Sequence, residues 1–144
     1  MSVTSPIHAC HFANWGVYNP EHYKFTSDRI PLNLCTHIFY AFAAVNLTTF
    51  ETSLSDKNSD IYWGSIEGIN KLKEKQPGLK TILSFGGYAA SQNGTFSKLS
   101  AKPENRVKFA KSAWNLVSEY GFDGMNLDWE FPDRTDRSNY VTLL

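Results

Sequence analysis

The sequence has no surplus of either charge. Its 14 Lys and Arg offset 14 Asp and Glu, for a formal net charge of zero. It carries no basic run and no acidic tail, so nucleic acid and an anionic membrane surface are not expected partners. No apolar run approaches the roughly 20 residues needed to cross a bilayer. The start, Met1-Ser2-Val3-Thr4-Ser5-Pro6, lacks the basic, apolar, small-residue order of a secretory leader. Cysteine is nearly absent: Cys10 and Cys35 are the whole inventory. The count alone is equally compatible with two free buried thiols and with a pair. Two sequons, at Asn46 (Asn46-Leu47-Thr48) and Asn93 (Asn93-Gly94-Thr95), match the glycosylation acceptor pattern. Together with the cysteines they favour an oxidising, secretory setting, hence a secreted, extracellular protein. The four histidines, His8, His11, His22 and His37, show no ligand spacing, so no metal site is expected.

What is present suits one domain. The 144 residues include 15% aromatics, rich for the size. Residues 7–13 read as a buried strand ending at Asn14-Trp15-Gly16. Residues 18–31 read as a loop with one helical turn near Thr26-Ser27-Asp28. The near-continuous apolar run 36–43 has the signature of a strand buried on both faces, as in parallel sheets. Residues 45–58 read as a loop. The spacing of Tyr62, Ile66, Ile69 and Leu72 predicts a helix over 60–76, capped by Asp60 and stopped by Pro77-Gly78. A third strand covers 79–85 and closes on Gly86-Gly87. Residues 88–102 read as a loop, and Pro103 opens a helix whose apolar face is Val107, Ala110, Trp114 and Val117. Gly121 ends it. A last strand follows, and 139–144 begin a further helix. Strands alternating with helices imply βαβ units, right-handed crossovers and a parallel sheet.

That last strand carries the chemistry. Met125, Leu127 and Trp129 are apolar; Asn126, Asp128 and Glu130 are polar. With a side-chain period of two, the polar set shares one face, and Asp128 and Glu130 stand about 6–7 Å apart along the strand. Unpaired acids are costly to bury, so a row of them marks a site. Asp123 has the opposite parity and reads as a structural hydrogen-bonding group at the strand's start. Gly124 is inward-facing and leaves room beside the row.

The stretch Asp123-Gly124-Met125-Asn126-Leu127-Asp128-Trp129-Glu130-Phe131-Pro132 resembles the signature of the family 18 glycoside hydrolases, the chitinases and chitinase-like lectins. Ser84-Phe85-Gly86-Gly87 is similar to the family's third-strand motif, residues 34–43 to its second strand, and Cys10-His11-Phe12-Ala13-Asn14-Trp15 to its first strand in animal chitinases. The four motifs stand in the family's order. The resemblance implies an α/β fold, a parallel (β/α)₈ TIM barrel with its site at the C-terminal ends of the strands. Such barrels need about 250 residues, so residues 1–144 read as the N-terminal half, about the first four βα units.

The resemblance also assigns roles. Glu130 is the general acid. Asp128 orients the substrate's acetamido group, whose carbonyl oxygen attacks the anomeric carbon in place of a protein nucleophile. Asn126 stands where the family usually has Asp; an Asn can still hydrogen-bond Asp128 but cannot share a negative charge with it, which implies a weaker or pH-shifted enzyme or a binder. Trp15, Tyr40, Phe42, Gly87 and Tyr88 are the candidate substrate contacts, with Tyr40 and Phe42 expected on one inward face. Tyr88 stands where relatives often have Trp, and His11 where they often have Tyr. Cys10 and Cys35 match a bridged pair. No cofactor is implied, and the expected partner is chitin or chito-oligosaccharides. Two other readings remain: a chitin-binding lectin without hydrolysis, and an inactive half barrel that self-associates through open strand edges.

Overall fold

The computed structural model describes residues 6–144; the stretch from Met1 to Ser5, where the leader pattern was sought, lies outside the described residues. Five strands form one sheet: β1 (Ala9–Ala13), β2 (His37–Val45), β3 (Thr52–Leu54), β4 (Lys80–Gly86) and β5 (Gly124–Asp128). β1, β2, β4 and β5 lie side by side in that order, all parallel, and β3 pairs antiparallel with the end of β2. The helices are α1 (Ser65–Lys75), α2 (Gly87–Ser91), α3 (Thr95–Ala101), α4 (Pro103–Glu119) and α5 (Arg137–Leu143).

The register sorts side chains into rows. His11, Phe39, Ile82 and Gly124 are aligned across the four parallel strands, and Ala13, Ala41, Ser84 and Asn126 form the next row on the same face. The alternate residues face the helices. Phe12, Ile38, Tyr40, Leu83 and Phe85 are buried there against Ile66, Ile69 and Leu72 of α1 and Phe109, Ala113 and Val117 of α4. Leu127 of the last strand and Trp129 just after it join this layer, whereas Met125 is 42% exposed, because β5 has a neighbour on one side only.

Several expectations are corrected. The helix over 60–76 is broken: a π-helical turn (Asn58–Tyr62) precedes α1, and Asp60 caps nothing, because its carboxylate is drawn into the core by Tyr40 and Asn14. The loop 45–58 contains β3, and the loop 88–102 contains α2 and α3. On α4, Val107 and Trp114 are exposed, and the buried stripe is Phe109, Ala113 and Val117. A period of three and four fits either stripe, and contact with the sheet selects the one carrying Phe109.

Two cross-links hold the sheet. A disulfide joins Cys10 of β1 to Cys35, just before β2, with Cα atoms 5.9 Å apart and a sequence separation of 25. Closing that loop stabilises by roughly 3–4 kcal/mol in the chain-entropy account. At the opposite edge, Asp123 accepts a hydrogen bond from the Thr81 N–H at 2.9 Å and pairs with Lys73 at 3.1 Å and Lys80 at 3.3 Å. Burial opposes its ionisation, but the Thr81 amide and the two lysines outweigh it and bring its pKa down to about 2. The folded-state pKa lies below the unfolded value, so the stabilisation is present above about pH 4. It is lost as pH falls through about 2. Asp123→Ala is therefore expected to cost about 1–2 kcal/mol at pH 7, discounted for partial exposure. The gap from wild type should shrink steadily as the pH falls towards 2 in urea titrations, and a gap independent of pH would contradict this role.

Candidate active site

The parallel strands deliver their C-terminal ends to one rim. There, a cleft of about 390 Å³ is lined by Trp15, Phe42, Gly86, Gly87, Tyr88 and Glu130. Each arrives by a different local device. Trp15 sits in a 3₁₀ turn (Asn14–Tyr18) directly after β1. Phe42 is the extra residue where the β2–β4 register shifts between Ala41 and Ala43. Its ring stacks on Trp15, with centroids 6.0 Å apart and planes 20° from parallel. About half of the Trp15 surface stays exposed, leaving an aromatic face open for a ligand.

The two glycines after β4 make the approach possible. A Cβ on Gly86 would lie 2.1 Å from the Asp128 carbonyl oxygen, and one on Gly87 would lie 2.7 Å from the Phe42 ring. Both positions have positive φ, +126° and +78°. They bring the backbone of β4 against that of β5, and the start of α2 under the aromatic stack.

On the inner face, the Asn126 amide lies 3.2 Å from the Ser84 hydroxyl and donates to it. Asp128 stands opposite Gly86 at the last paired position of β5. Glu130 follows two residues beyond, on the cleft wall, its backbone N–H donating to Ser91 Oγ at 2.8 Å. The tip of β5 is thus tied to α2.

Tyr40 corrects an expectation. It does not share a face with Phe42: it is 1% exposed, packs on Phe12 and Phe122, and donates to Asp60 Oδ1 at 2.6 Å. The register shift at Phe42 breaks the period-two relation on which the expectation rested. Burial, then Asp60, raises the Tyr40 pKa, so its phenol stays protonated. Asp123 lies at the N-terminal end of β5, away from the cleft, and Gly124 lies in the inner row beside Ile82. Asn46 and Asn93 are exposed. The Asn46 carboxamide accepts from the Thr48 and Thr49 N–H groups, both at 2.8 Å. His11 stacks on Phe39 at 5.3 Å in the inner row. Among the described residues no group of three His, Cys, Asp or Glu could hold a metal ion.

Sequence reasoning missed Ser84, Ser91, Asn14 and Ser55. Ser84 was legible, since it shares parity with Gly86. Ser91 lay in a presumed loop, and nothing in the residue pattern placed it against Glu130. A groove of about 400 Å³ between α1 and the end of α4 shares no residue with the cleft and none with the candidate set. The close approach at the rim gives a direct check. Gly87→Ala combines a disfavoured φ with a collision against Phe42 and is expected to cost at least about 1–3 kcal/mol in urea unfolding. A neutral result would show that the stack has room to move.

The profile of the Glycosyl hydrolases family 18 matches residues 7–144. An endochitinase of Brugia malayi is 36% identical over 128 residues, which cover 88% of this chain and 25% of that protein. Among solved structures, an immunomodulatory active chitinase from Trichuris suis superimposes with a TM-score of 0.89 at 39% identity, over 95% of this chain and 36% of that one. A family 18 chitinase from Cycas revoluta in complex with (GlcNAc)3 does so with a TM-score of 0.81 at 28% identity, over 96% of this chain and 38% of that one. The chain thus spans a quarter to two-fifths of these three proteins, and its sheet is part of their barrel. With the family pattern running through all but the first six residues, the chain belongs to the family 18 glycosyl hydrolases.

Proposed function

We propose that residues 1–144 form the N-terminal half of a secreted chitinase barrel, which hydrolyses β-1,4-linked N-acetylglucosamine polymers with retention at the anomeric carbon. The observation that carries this reading is the placement of Glu130 on one cleft wall with the open Trp15–Phe42 stack. A pyranose ring stacks on the aromatic face, with Tyr88 and Gly87 on the rim. Glu130 gives its proton to the glycosidic oxygen as the bond to the leaving sugar breaks. The acetamido carbonyl oxygen of the bound sugar closes on the anomeric carbon, and the Asp128 carboxylate orients that group and balances the positive oxazolinium. Water then opens the ring, giving its proton to Glu130, which restores the acid. The disulfide fits an oxidising compartment, and Asn46 and Asn93 are exposed acceptors for glycans in it.

One observation favours a second reading, a sugar binder of low turnover. Asn126 donates to Ser84, and its amide cannot exchange a proton with Asp128 as a paired carboxyl would. The inner face and the edges of β1 and β5 are also open in this chain, which allows self-association by strand pairing.

In the complete barrel, Glu130→Gln should lower kcat on a chito-oligosaccharide by about 10²–10⁴-fold while leaving affinity within severalfold. A variant that retains full turnover would refute the assignment. Asn126→Asp should shift the pH–rate profile, and superimposable profiles would remove Asn126 from the account.

A further inference from the structure

Behind the Trp15–Phe42 stack lies a buried polar cluster that the proposed chemistry does not use. Asp60 is 1% exposed and Asn14 is 4% exposed. A carboxylate in such a place costs several kcal/mol unless its oxygens are satisfied. Here they are: Asp60 Oδ1 accepts from Asn14 Nδ2 at 2.8 Å and from the Tyr40 hydroxyl at 2.6 Å, and Oδ2 accepts from the Asp56 N–H at 3.1 Å. The second Asn14 amide proton goes to Ser55 Oγ at 2.9 Å, and Ser55 in turn donates to the Phe42 carbonyl oxygen. Ser59 donates to the Asn14 carbonyl oxygen at 2.6 Å. Asn14 directly precedes Trp15. The chain of bonds therefore runs from the buried Asp60 carboxyl through the Asn14 amide and Ser55 to the Phe42 carbonyl oxygen, and reaches Trp15 through its peptide link to Asn14. Asn14 and Ser55 also line, with Trp15 and Phe42, a second hollow of about 270 Å³ beside the cleft.

We propose that Asp60, Asn14 and Ser55 are positioning residues that set the Trp15–Phe42 platform, and so set affinity for an N-acetylglucosamine-type pyranose ring stacked on it. The inference rests on reading the cleft as a sugar site. Trp15 follows β1, and Phe42 sits where β2 loses its regular pairing, so neither ring is oriented by strand geometry alone. Asn14 satisfies both rings' supports at once with its two amide protons, a task that neither Ala nor Asp can perform. A carboxylate at Asp60 is required because it must accept from three donors while offering none.

The test compares Ser55→Ala, Ser55→Thr, Asp60→Asn and Trp15→Ala in the complete barrel, by calorimetric affinity for a chito-oligosaccharide, by kcat and KM, and by Tm. Ser55 is exposed, and Tm reports directly whether its variants keep the fold. Ser55→Ala is expected to weaken affinity and raise KM by about 3- to 10-fold, the worth of one neutral hydrogen bond, with kcat within about twofold. Ser55→Thr, which keeps the hydroxyl, should restore affinity, and Asp60→Asn, where it folds, should weaken it at least as much as Ser55→Ala. A cluster that only stabilises the turn would lower Tm and leave the affinity of folded protein unchanged, which overturns the proposal. If Trp15→Ala loses affinity while the Ser55 and Asp60 variants bind as wild type, the positioning role fails and the sugar site stands. If Trp15→Ala itself binds as wild type, the reading of the cleft fails and the inference with it.

Discussion

The pairing of β4 with β5 sets Ser84 opposite Asn126 and Gly86 opposite Asp128, and the geometry of the cleft hangs on it. The Gly86 position admits no side chain, because the Asp128 carbonyl occupies the space a Cβ would need. Close backbone contact here delivers the polar row of β5 to the rim at a fixed height. Gly87 then lets α2 start beneath the Phe42 ring, and α2 returns Ser91 to the Glu130 amide. A shift of one residue in this register would turn Asn126 and Asp128 into the helix layer and Leu127 and Trp129 out of it. The partners of Trp129, buried Phe96 and half-buried Tyr140, hold against that shift.

The acids of the chain are divided by environment. Asp123, at the start of β5, is neutralised by Lys73 and Lys80 and serves the sheet. Asp60 is sealed in the core with three donors. Asp128, at the other end of the same strand, and Glu130, two residues beyond it, have no cation paired with them among the ion pairs of the described residues. The acids that serve the fold are thus tied to partners within it, and these two are not.

Much of this was legible from period alone. Alternation over 124–130 separated Asn126 and Asp128 from Leu127 and Trp129, and the inverted parity of Asp123 set it apart. What failed did so where tertiary contact overrides local pattern. Tyr40 and Phe42 are two residues apart, yet the register shift between Ala41 and Ala43 puts Tyr40 in the core and Phe42 on the cleft. Asp60 looks like a cap in sequence and is a buried acceptor, because Asn14 lies 46 residues away along the chain and next to it in space. The α4 stripe through Val107 and Trp114 is as regular as the buried one, and only the sheet distinguishes them.

The central claim is that the row on β5 acts on a sugar that brings its own nucleophile. The direct measurement is hydrolysis by the complete barrel of an N-acetylated chito-oligosaccharide against its fully de-N-acetylated counterpart, with the first-formed anomer read by NMR. The account predicts cleavage of the acetylated substrate alone, with the β-anomer as the initial product. Comparable cleavage of the deacetylated substrate, or an initial α-anomer, would contradict it.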